Sequence, residues 1–211
     1  MVLRRRADSV FGLELLLIRH ALPLRVELAT GAADPELSVT GHTQARHLAE
    51  YLKGERIDRL ITSPLKRAVQ TAEPITELLG LEAEVHDGVS EFDALSSEYV
   101  PIEELKATND PRWQEMLDGT WVPEGGMTRD EFRDVVVPAV DEIIASSPSQ
   151  RVAVTCHGGV INAYLSHMLG LDEPMFFEPH YTSISRLVAS SRGHRTLVSI
   201  NEITHLPDAR H

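Results

Sequence analysis

The sequence predicts a three-layer α/β/α fold, in which helices cover both faces of a mainly parallel sheet. Three observations support this prediction. Short, continuously apolar runs alternate with longer amphipathic segments, glycines stand where those segments end, and residues 88–126 break into irregular pieces. Strands buried on both faces are expected to be apolar throughout, as in parallel sheets covered by helices. The alternation of strands and helices favours the same architecture.

The first half of the chain supplies three predicted strands and two predicted helices. In order, these are a strand over 12–18, a loop over 21–38, a helix over 40–53, a strand over 57–62, a helix over 64–79 and a weaker strand over 81–86. Helix is the alternative interpretation of the first apolar run. We expect helix caps at Thr40 and Ser63, with Pro64 in the first helical position. Gly54 and Gly80 mark the expected helix ends.

The second half contains an interruption followed by a return to alternation. Prolines break residues 88–126 into short pieces, which predicts a small insertion, or lid, over the carboxyl ends of the strands. The predicted elements after it are a helix over 128–145, a strand over 151–155, a helix over 158–168 and strands over 184–189 and 196–200. We expect one domain over residues 1–211.

Charge and composition exclude several kinds of partner. The 211 residues include 20 Lys and Arg against 32 Asp and Glu, for a formal charge of -12. Such a charge repels nucleic-acid polymers and acidic membrane surfaces. No stretch approaches the ~18 apolar residues of a spanning helix. Cys156 is the one cysteine, which excludes an intramolecular disulfide and favours the cytoplasm. A homodimer is compatible with the sequence but not specified by it.

Reactive side chains follow four of the predicted strands. Arg19 and His20 follow the first, Arg67 lies one helical turn after the second, Glu91 follows the third, and His157 follows the strand over 151–155. In open α/β sheets ligands bind beyond the carboxyl ends of the strands. The sequence therefore predicts that two arginines, two histidines and a carboxylate meet in one crevice.

These residue types suit a phosphate ligand. Arginine makes bidentate, charge-assisted bonds to phosphate oxygens. A histidine with a pKa near 6.5 is largely a neutral nucleophile at pH 7, and a bound dianion can keep a second one charged. A carboxyl group can protonate a leaving oxygen and then deprotonate water. Helix amides after Ser63 and His157 would add anion-binding donors.

Three sequence strings resemble the histidine phosphatase superfamily, in its phosphoglycerate mutase-like branch. They are LLIRHA at 16–21, SPLKRAVQTA at 63–72 and TCHGGVI at 155–161, and the segment 37–45 is similar to the family's first-helix signature. The resemblance spans nearly the whole chain in the family's order. It implies a phosphohistidine enzyme without a metal or other cofactor, acting on a small phosphorylated substrate.

The resemblance also implies a role for each residue that matches the motifs. His20 is similar to the nucleophile, Arg19 and Arg67 to the phosphate-binding arginines, and His157 to the second histidine that stabilises the transferring oxygens. Glu91 is the best match for the general acid and base. The expected activity is therefore hydrolysis of a phosphomonoester.

Several features depart from the family pattern. Asp87 and Asp93 lie near Glu91 and stay alternatives for the general acid. Ala21 stands where the family usually has glycine, which suggests that positive φ is not needed there. The lysine and paired-arginine signature of the mutases is missing after Glu91. Hydrolysis is thus expected, with a phosphoglycerate mutase and a non-catalytic phospho-ligand or protein-binding homologue as alternatives.

Two other kinds of chemistry are disfavoured. Cys156 lacks the following arginine of cysteine phosphatases and is predicted to be a small buried residue, and no His or Cys spacing typical of a metal site occurs. Two interpretations of the insertion stay open. Its tryptophans and methionines, at 113, 121, 116 and 127, either line a substrate lid or pack the insertion onto the core.

Overall fold

A computed structural model describes residues 12–173, 175–190 and 193–207, so the basic segment Arg4–Arg6 lies outside it. The strands are β1 (Leu13–Arg19), β2 (Val26–Glu27), β3 (Arg59–Thr62), β4 (Ala83–Val85), β5 (Glu98–Tyr99), β6 (Arg151–Cys156), β7 (Ile184–Ala189) and β8 (Arg195–Glu202). The helices are α1 (Val39–Leu52), α2 (Lys66–Leu79), α3 (Ile102–Ala107), α4 (Pro111–Asp118), α5 (Arg129–Ser146) and α6 (Gly158–Leu169), with a 3₁₀ turn at Asp87–Val89. Within the described ranges, no helix combines the length and the apolar character that crossing a membrane requires.

One six-stranded sheet forms the centre of the molecule, in the order β4-β3-β6-β1-β7-β8. Strands β4, β3, β6 and β1 pair in parallel, whereas β7 pairs antiparallel with both β1 and β8. The predicted α/β fold with a mainly parallel sheet is confirmed. Because β1, β3 and β6 are parallel neighbours, their carboxyl ends meet at one edge of the sheet.

Alternate residues of β1 build the two apolar layers. Leu15 and Leu17 pack with buried residues of α5 and α6. Leu16 and Ile18 pack with α1 and α2 on the opposite face. Both sets are fully buried, which explains why the run is apolar at every position rather than at every second one.

Helix α1 begins one residue after Ser38 rather than after Thr40. The Ser38 hydroxyl accepts a hydrogen bond from the Gly41 amide at 3.0 Å, which satisfies one of the free amides of the first turn. The predicted cap at Thr40 was therefore wrong by two residues. The predicted end of α2 at Gly80 is confirmed, since this glycine adopts the left-handed conformation, and Gly170 ends α6 in the same way.

Helix α2, in contrast, begins later than predicted, at Lys66, and Ser63 does not cap it. The amide of Ser63 continues the sheet by donating to the Thr155 carbonyl. The carboxylate of Asp34, from the preceding loop, accepts a hydrogen bond from the Lys66 amide at 2.9 Å. A residue distant in sequence thus takes the capping role assigned to Ser63, and the expected anion-binding amides directly after Ser63 are not helical.

The loop after β1 and the segment 88–126 form one substructure beside the carboxyl ends of the strands. Strand β2 of the loop pairs antiparallel with β5, Val26 opposite Tyr99. Arg25 extends the connection through an ion pair with Glu104 of α3 at 2.8 Å. The two segments in which the sequence shows no clear pattern therefore support each other.

Candidate active site

The structure brings the five predicted site residues together at the carboxyl ends of β1, β3 and β6. Arg19 ends β1 and His20 follows it, Arg67 lies in the first turn of α2, and Glu91 follows the 3₁₀ turn. These four side chains line one cavity. His157, between β6 and α6, has its ring centroid 5.1 Å from that of His20. Their proposed roles stay predictions.

The imidazole of His20 is buried and oriented by its own backbone. Its Nδ1 lies 2.8 Å from the carbonyl oxygen of Ala21, so Nδ1 carries the proton and Nε2 keeps a free lone pair. Burial, followed by the charges of Arg67 and Arg19, holds the pKa of His20 well below its ordinary value of 6.5. His20 is thus a neutral base even in mildly acidic solution. The φ angle of Ala21 is not positive, as predicted.

Each of the two arginines packs against a tyrosine ring. The guanidinium carbon of Arg19 lies 3.9 Å from the ring centroid of Tyr181, and that of Arg67 lies 4.7 Å from the ring centroid of Tyr99. Arg67 also contacts the Asp93 carboxylate at 3.3 Å. The Nε atoms of both arginines are buried without a hydrogen-bond partner among the described residues.

A serine hydroxyl fixes the ring of His157. The Nε2 atom of His157 lies 2.7 Å from Ser63 Oγ, while Nδ1 is buried without a partner in the described chain. Burial, then the charge of Arg67, lowers the pKa of His157 well below 6.5. Buried polar atoms normally have partners. Together with the two arginine Nε atoms, Nδ1 gives three buried nitrogens that suit an anionic ligand.

Glu91 is held by the start of α6. Its Oε2 accepts a hydrogen bond from the Gly159 amide at 2.9 Å. A Cβ atom at position 159 would overlap Glu91 Oε1, so only glycine permits this approach. Burial and the nearby charge of Asp93 raise the pKa of Glu91 from 4.5 to about 7. Asp93 itself pairs with Arg67, and Asp87 is exposed, so the geometry favours Glu91 over both aspartates.

Four side chains of the site had no binding or catalytic role assigned to them in the sequence analysis. They are Ser63, Thr71, Tyr99 and Tyr181. Thr71 accepts a hydrogen bond from the Ala21 amide at 2.9 Å and so supports the backbone beside His20. Thr71 belongs to the matched string 63–72, which could have drawn attention to it. No sequence signal distinguishes either tyrosine, because both reach the arginines only through the folding of distant segments.

The remaining chemical candidates have structural explanations. Cys156 is fully buried, as predicted, and burial raises the pKa of its thiol. No group of three or more His, Cys, Asp or Glu side chains could hold a metal ion within residues 12–173, 175–190 and 193–207. Trp121 and Met116 line a cleft next to the site, whereas Trp113 packs against Lys106. The cleft lining favours the first interpretation for Trp121 and Met116, while the contact of Trp113 with Lys106 lies within the insertion and supports neither.

Comparison with known proteins assigns the family. The sequence model of the histidine phosphatase superfamily (branch 1) matches residues 15–203. The α/β/α fold and its cluster of arginines and histidines are typical of proteins that bind and transfer phosphate. The chain belongs to this superfamily.

Proteins similar to this chain in sequence or structure include several that are named as phosphatases. An uncharacterized phosphatase, PhoE, from Bacillus subtilis is 34% identical over 143 residues, or 67% of this chain and 69% of that protein. Glucosyl-3-phosphoglycerate phosphatase from Mycobacterium tuberculosis is 32% identical over 152 residues, 67% of each chain. A phosphoserine phosphatase mutant from Entamoeba histolytica, solved with phosphoserine, superimposes with a TM-score of 0.73 at 25% identity, covering 92% of this chain and 99% of that one.

Proposed function

We propose that this protein hydrolyses small phosphomonoesters, without a metal ion, through a phosphoryl group carried transiently by His20. The observation that carries the proposal is the environment of His20 Nε2, a free lone pair in a cavity that Arg19 and Arg67 also line. The unpartnered nitrogens of both arginines and of His157 would bind the phosphoryl oxygens. The named phosphatases among the relatives support the same activity.

In the first half of the reaction, the His20 Nε2 lone pair forms a bond to phosphorus as the bond to the alcohol oxygen breaks. Glu91, with its pKa raised to about 7, is partly protonated at neutral pH and gives its proton to the leaving oxygen. Arg19, Arg67 and His157 stabilise the charge on the three other oxygens. The products are free alcohol, phospho-His20 and a Glu91 carboxylate.

In the second half, the Glu91 carboxylate accepts a proton from water. The water oxygen forms a bond to phosphorus while the bond between nitrogen and phosphorus breaks. Phosphate leaves, His20 is neutral again, and Glu91 is protonated for the next cycle. One carboxyl group thus serves as acid and base in turn.

The remaining lining of the cavity favours hydrolysis over phosphoglycerate mutation. Arg19 and Arg67 are the arginines there, and no lysine lies among the described lining residues. Asp93 and Glu178 add negative charge at the same cavity. Within this cavity a substrate carboxylate would therefore find little cationic support once the phosphate has engaged the arginines. We also propose a cytoplasmic location, since a chain with one cysteine suits a reducing compartment.

The proposal is tested by phosphate release from a panel of phosphomonoesters, with and without a chelator. We expect release that the chelator does not change and that His20→Ala abolishes. His194→Ala, which alters an exposed histidine on the far side of the β7–β8 hairpin, is the matched control and should retain full activity. Binding of phosphate without turnover would instead support the non-catalytic alternative, and transfer between the carbons of phosphoglycerate would support the mutase.

A further inference from the structure

A second cleft adjoins the phosphate cavity and is mainly apolar. It encloses about 620 Å³ of space, part of it open to solvent, between the insertion, the start of α5 and the start of α6. Its lining includes Phe92, Met116, Trp121, Met127, Phe132 and Ala163. Gly159, Phe92, Met116 and Met175 line both this cleft and the phosphate cavity, so the two are direct neighbours.

An aromatic cluster forms one wall of the cleft. The ring of Phe92 lies 5.5 Å from that of Trp121 at an interplanar angle of 86°, and 5.5 Å from that of Phe132 at 72°. Edge-to-face contacts of this kind hold the rings in place. Flexible methionines complete the wall and adapt to apolar ligands of different shape. The polar side chains of the lining are Thr128, Arg129, Arg133 and Ser166, and no acidic residue lies among the described lining residues.

The cleft lies on the side of the phosphate site from which the alcohol leaves. Glu91, the proposed proton donor to the leaving oxygen, is hydrogen-bonded to Gly159, and Phe92 follows it in the chain. Gly159 and Phe92 both line the apolar cleft. A leaving oxygen within reach of Glu91 therefore places its carbon substituent at the mouth of the cleft.

We propose that the preferred substrates are phosphate esters of alcohols with an apolar body, alkyl or aryl, and that Trp121 determines this preference. The proposal rests on the hydrolytic function proposed above and names its substrate class. A polyhydroxylated or zwitterionic alcohol would lose water against the methionine and aromatic side chains that form most of the lining, and these side chains offer it no hydrogen bonds in return. An alkyl chain gains from the same burial.

A series of straight-chain alkyl phosphates, from methyl to octyl, tests the proposal because every member has a primary alcohol as leaving group. We expect kcat/KM to rise by up to about fourfold per methylene, equivalent to ~0.8 kcal/mol, until the cleft is full. O-phosphoserine and glycerol 3-phosphate should fall below butyl phosphate. A kcat/KM that does not change with chain length, or a preference for the polar esters, would overturn the proposal.

Two variants locate the effect in the cleft. Trp121→Ala should flatten the dependence on chain length while methyl phosphate is still hydrolysed. Trp113→Ala is the matched control, because this tryptophan of the same insertion packs against Lys106 and does not line the cleft. Ala163→Leu fills the cleft from α6 without removing an aromatic ring and should also flatten the dependence. If kcat/KM rises with chain length as steeply in Trp121→Ala and Ala163→Leu as in the wild type, the cleft is not the site that binds the alkyl chain.

Binding of non-hydrolysable alkyl phosphonates separates this inference from the proposed function. Calorimetry on the wild-type protein should show affinity that increases with chain length and loses that increase in Ala163→Leu. Chain-length-dependent binding without turnover of any ester would sustain the apolar subsite and refute the hydrolytic function. Turnover with affinity independent of chain length would refute the subsite alone.

Discussion

Glu91 and Gly159 form a contact that links the proposed general acid to the start of helix α6. The Gly159 amide donates to Glu91 Oε2 at 2.9 Å, and the missing side chain of Gly159 leaves the space that Glu91 Oε1 occupies. Glu91 follows a 3₁₀ turn and Gly159 follows the central strand β6. A carboxylate on an irregular segment is thereby held by the helix that follows a central strand of the sheet.

Substitution at two neighbouring glycines tests this contact. Gly159→Ala should lower kcat/KM by about 100-fold, because the new methyl group displaces Glu91 and a displacement of about 1 Å has such an effect. At Gly158 a Cβ atom would lie 3.8 Å from Arg19 Nε, an ordinary contact distance. Gly158→Ala should therefore lower kcat/KM much less than Gly159→Ala. Steady-state kinetics with an alkyl phosphate measures both. Equal losses in the two variants would show that the Glu91 contact is not what matters.

The raised pKa of Glu91 predicts an alkaline limit to activity. Glu91 must be protonated in the first half-reaction, and its pKa is raised to about 7, so kcat/KM for alkyl phosphates should decline as the pH rises through about 7. Because the pKa of His20 is lowered, its titration should cause no change in kcat/KM near pH 6.5. In Glu91→Gln the alkaline decline should vanish, and kcat/KM should fall less with p-nitrophenyl phosphate than with alkyl phosphates, because its leaving group needs no proton. An unchanged decline in Glu91→Gln would exclude Glu91 as its source.

We expect Asp93 to determine the pH at which kcat/KM declines, that is, the position of the alkaline limb of the pH profile. Its negative charge is the second cause, after burial, of the raised pKa of Glu91. Asp93→Asn removes the charge, so the pKa of Glu91 should fall and the alkaline limb should move to lower pH. Asp87→Asn is the control, because Asp87 is exposed on the nearby 3₁₀ turn. A limb that moves to higher pH in Asp93→Asn, or that moves equally in both variants, would contradict the coupling.

Ser63 should act through His157. Their hydrogen bond, 2.7 Å between Oγ and Nε2, orients the ring so that Nδ1 is available for a phosphoryl oxygen. We expect Ser63→Ala to lower kcat by about tenfold or more, as for loss of a hydrogen bond to a group that becomes charged. Thermal unfolding of the variant measures the structural contribution separately. Full activity in a folded Ser63→Ala variant would exclude this positioning role.

The sequence was sufficient to predict the sheet and most of the site for a simple physical reason. Strands buried on both faces must be apolar, as β1 is, and the reactive residues are placed directly where such strands end. Arg19, His20 and His157 could therefore be located from their neighbours in the chain. Glu91 was less certain, because two aspartates lie near it and only tertiary contacts distinguish them.

Features that depend on distant segments could not be predicted. Helix α2 begins at Lys66 because Asp34 supplies the acceptor, and no local pattern announces a cap from 32 residues away. Tyr99 and Tyr181 cover the two arginines, yet each belongs to a segment without clear periodicity. The pairing of β2 with β5 likewise joins two stretches of two residues each, which are too short to show the alternation typical of a strand.

The phosphorylated residue itself gives the most direct test of the mechanism. Glu91→Gln should form the phosphoenzyme from p-nitrophenyl phosphate and hydrolyse it slowly, because the base for the second half-reaction is lost. Rapid quenching in alkali, followed by peptide mass spectrometry, should find one phosphoryl group on His20 that acid removes. A phosphoryl group on His157 or Ser63, or phosphate release with no labelled residue at all, would contradict the account.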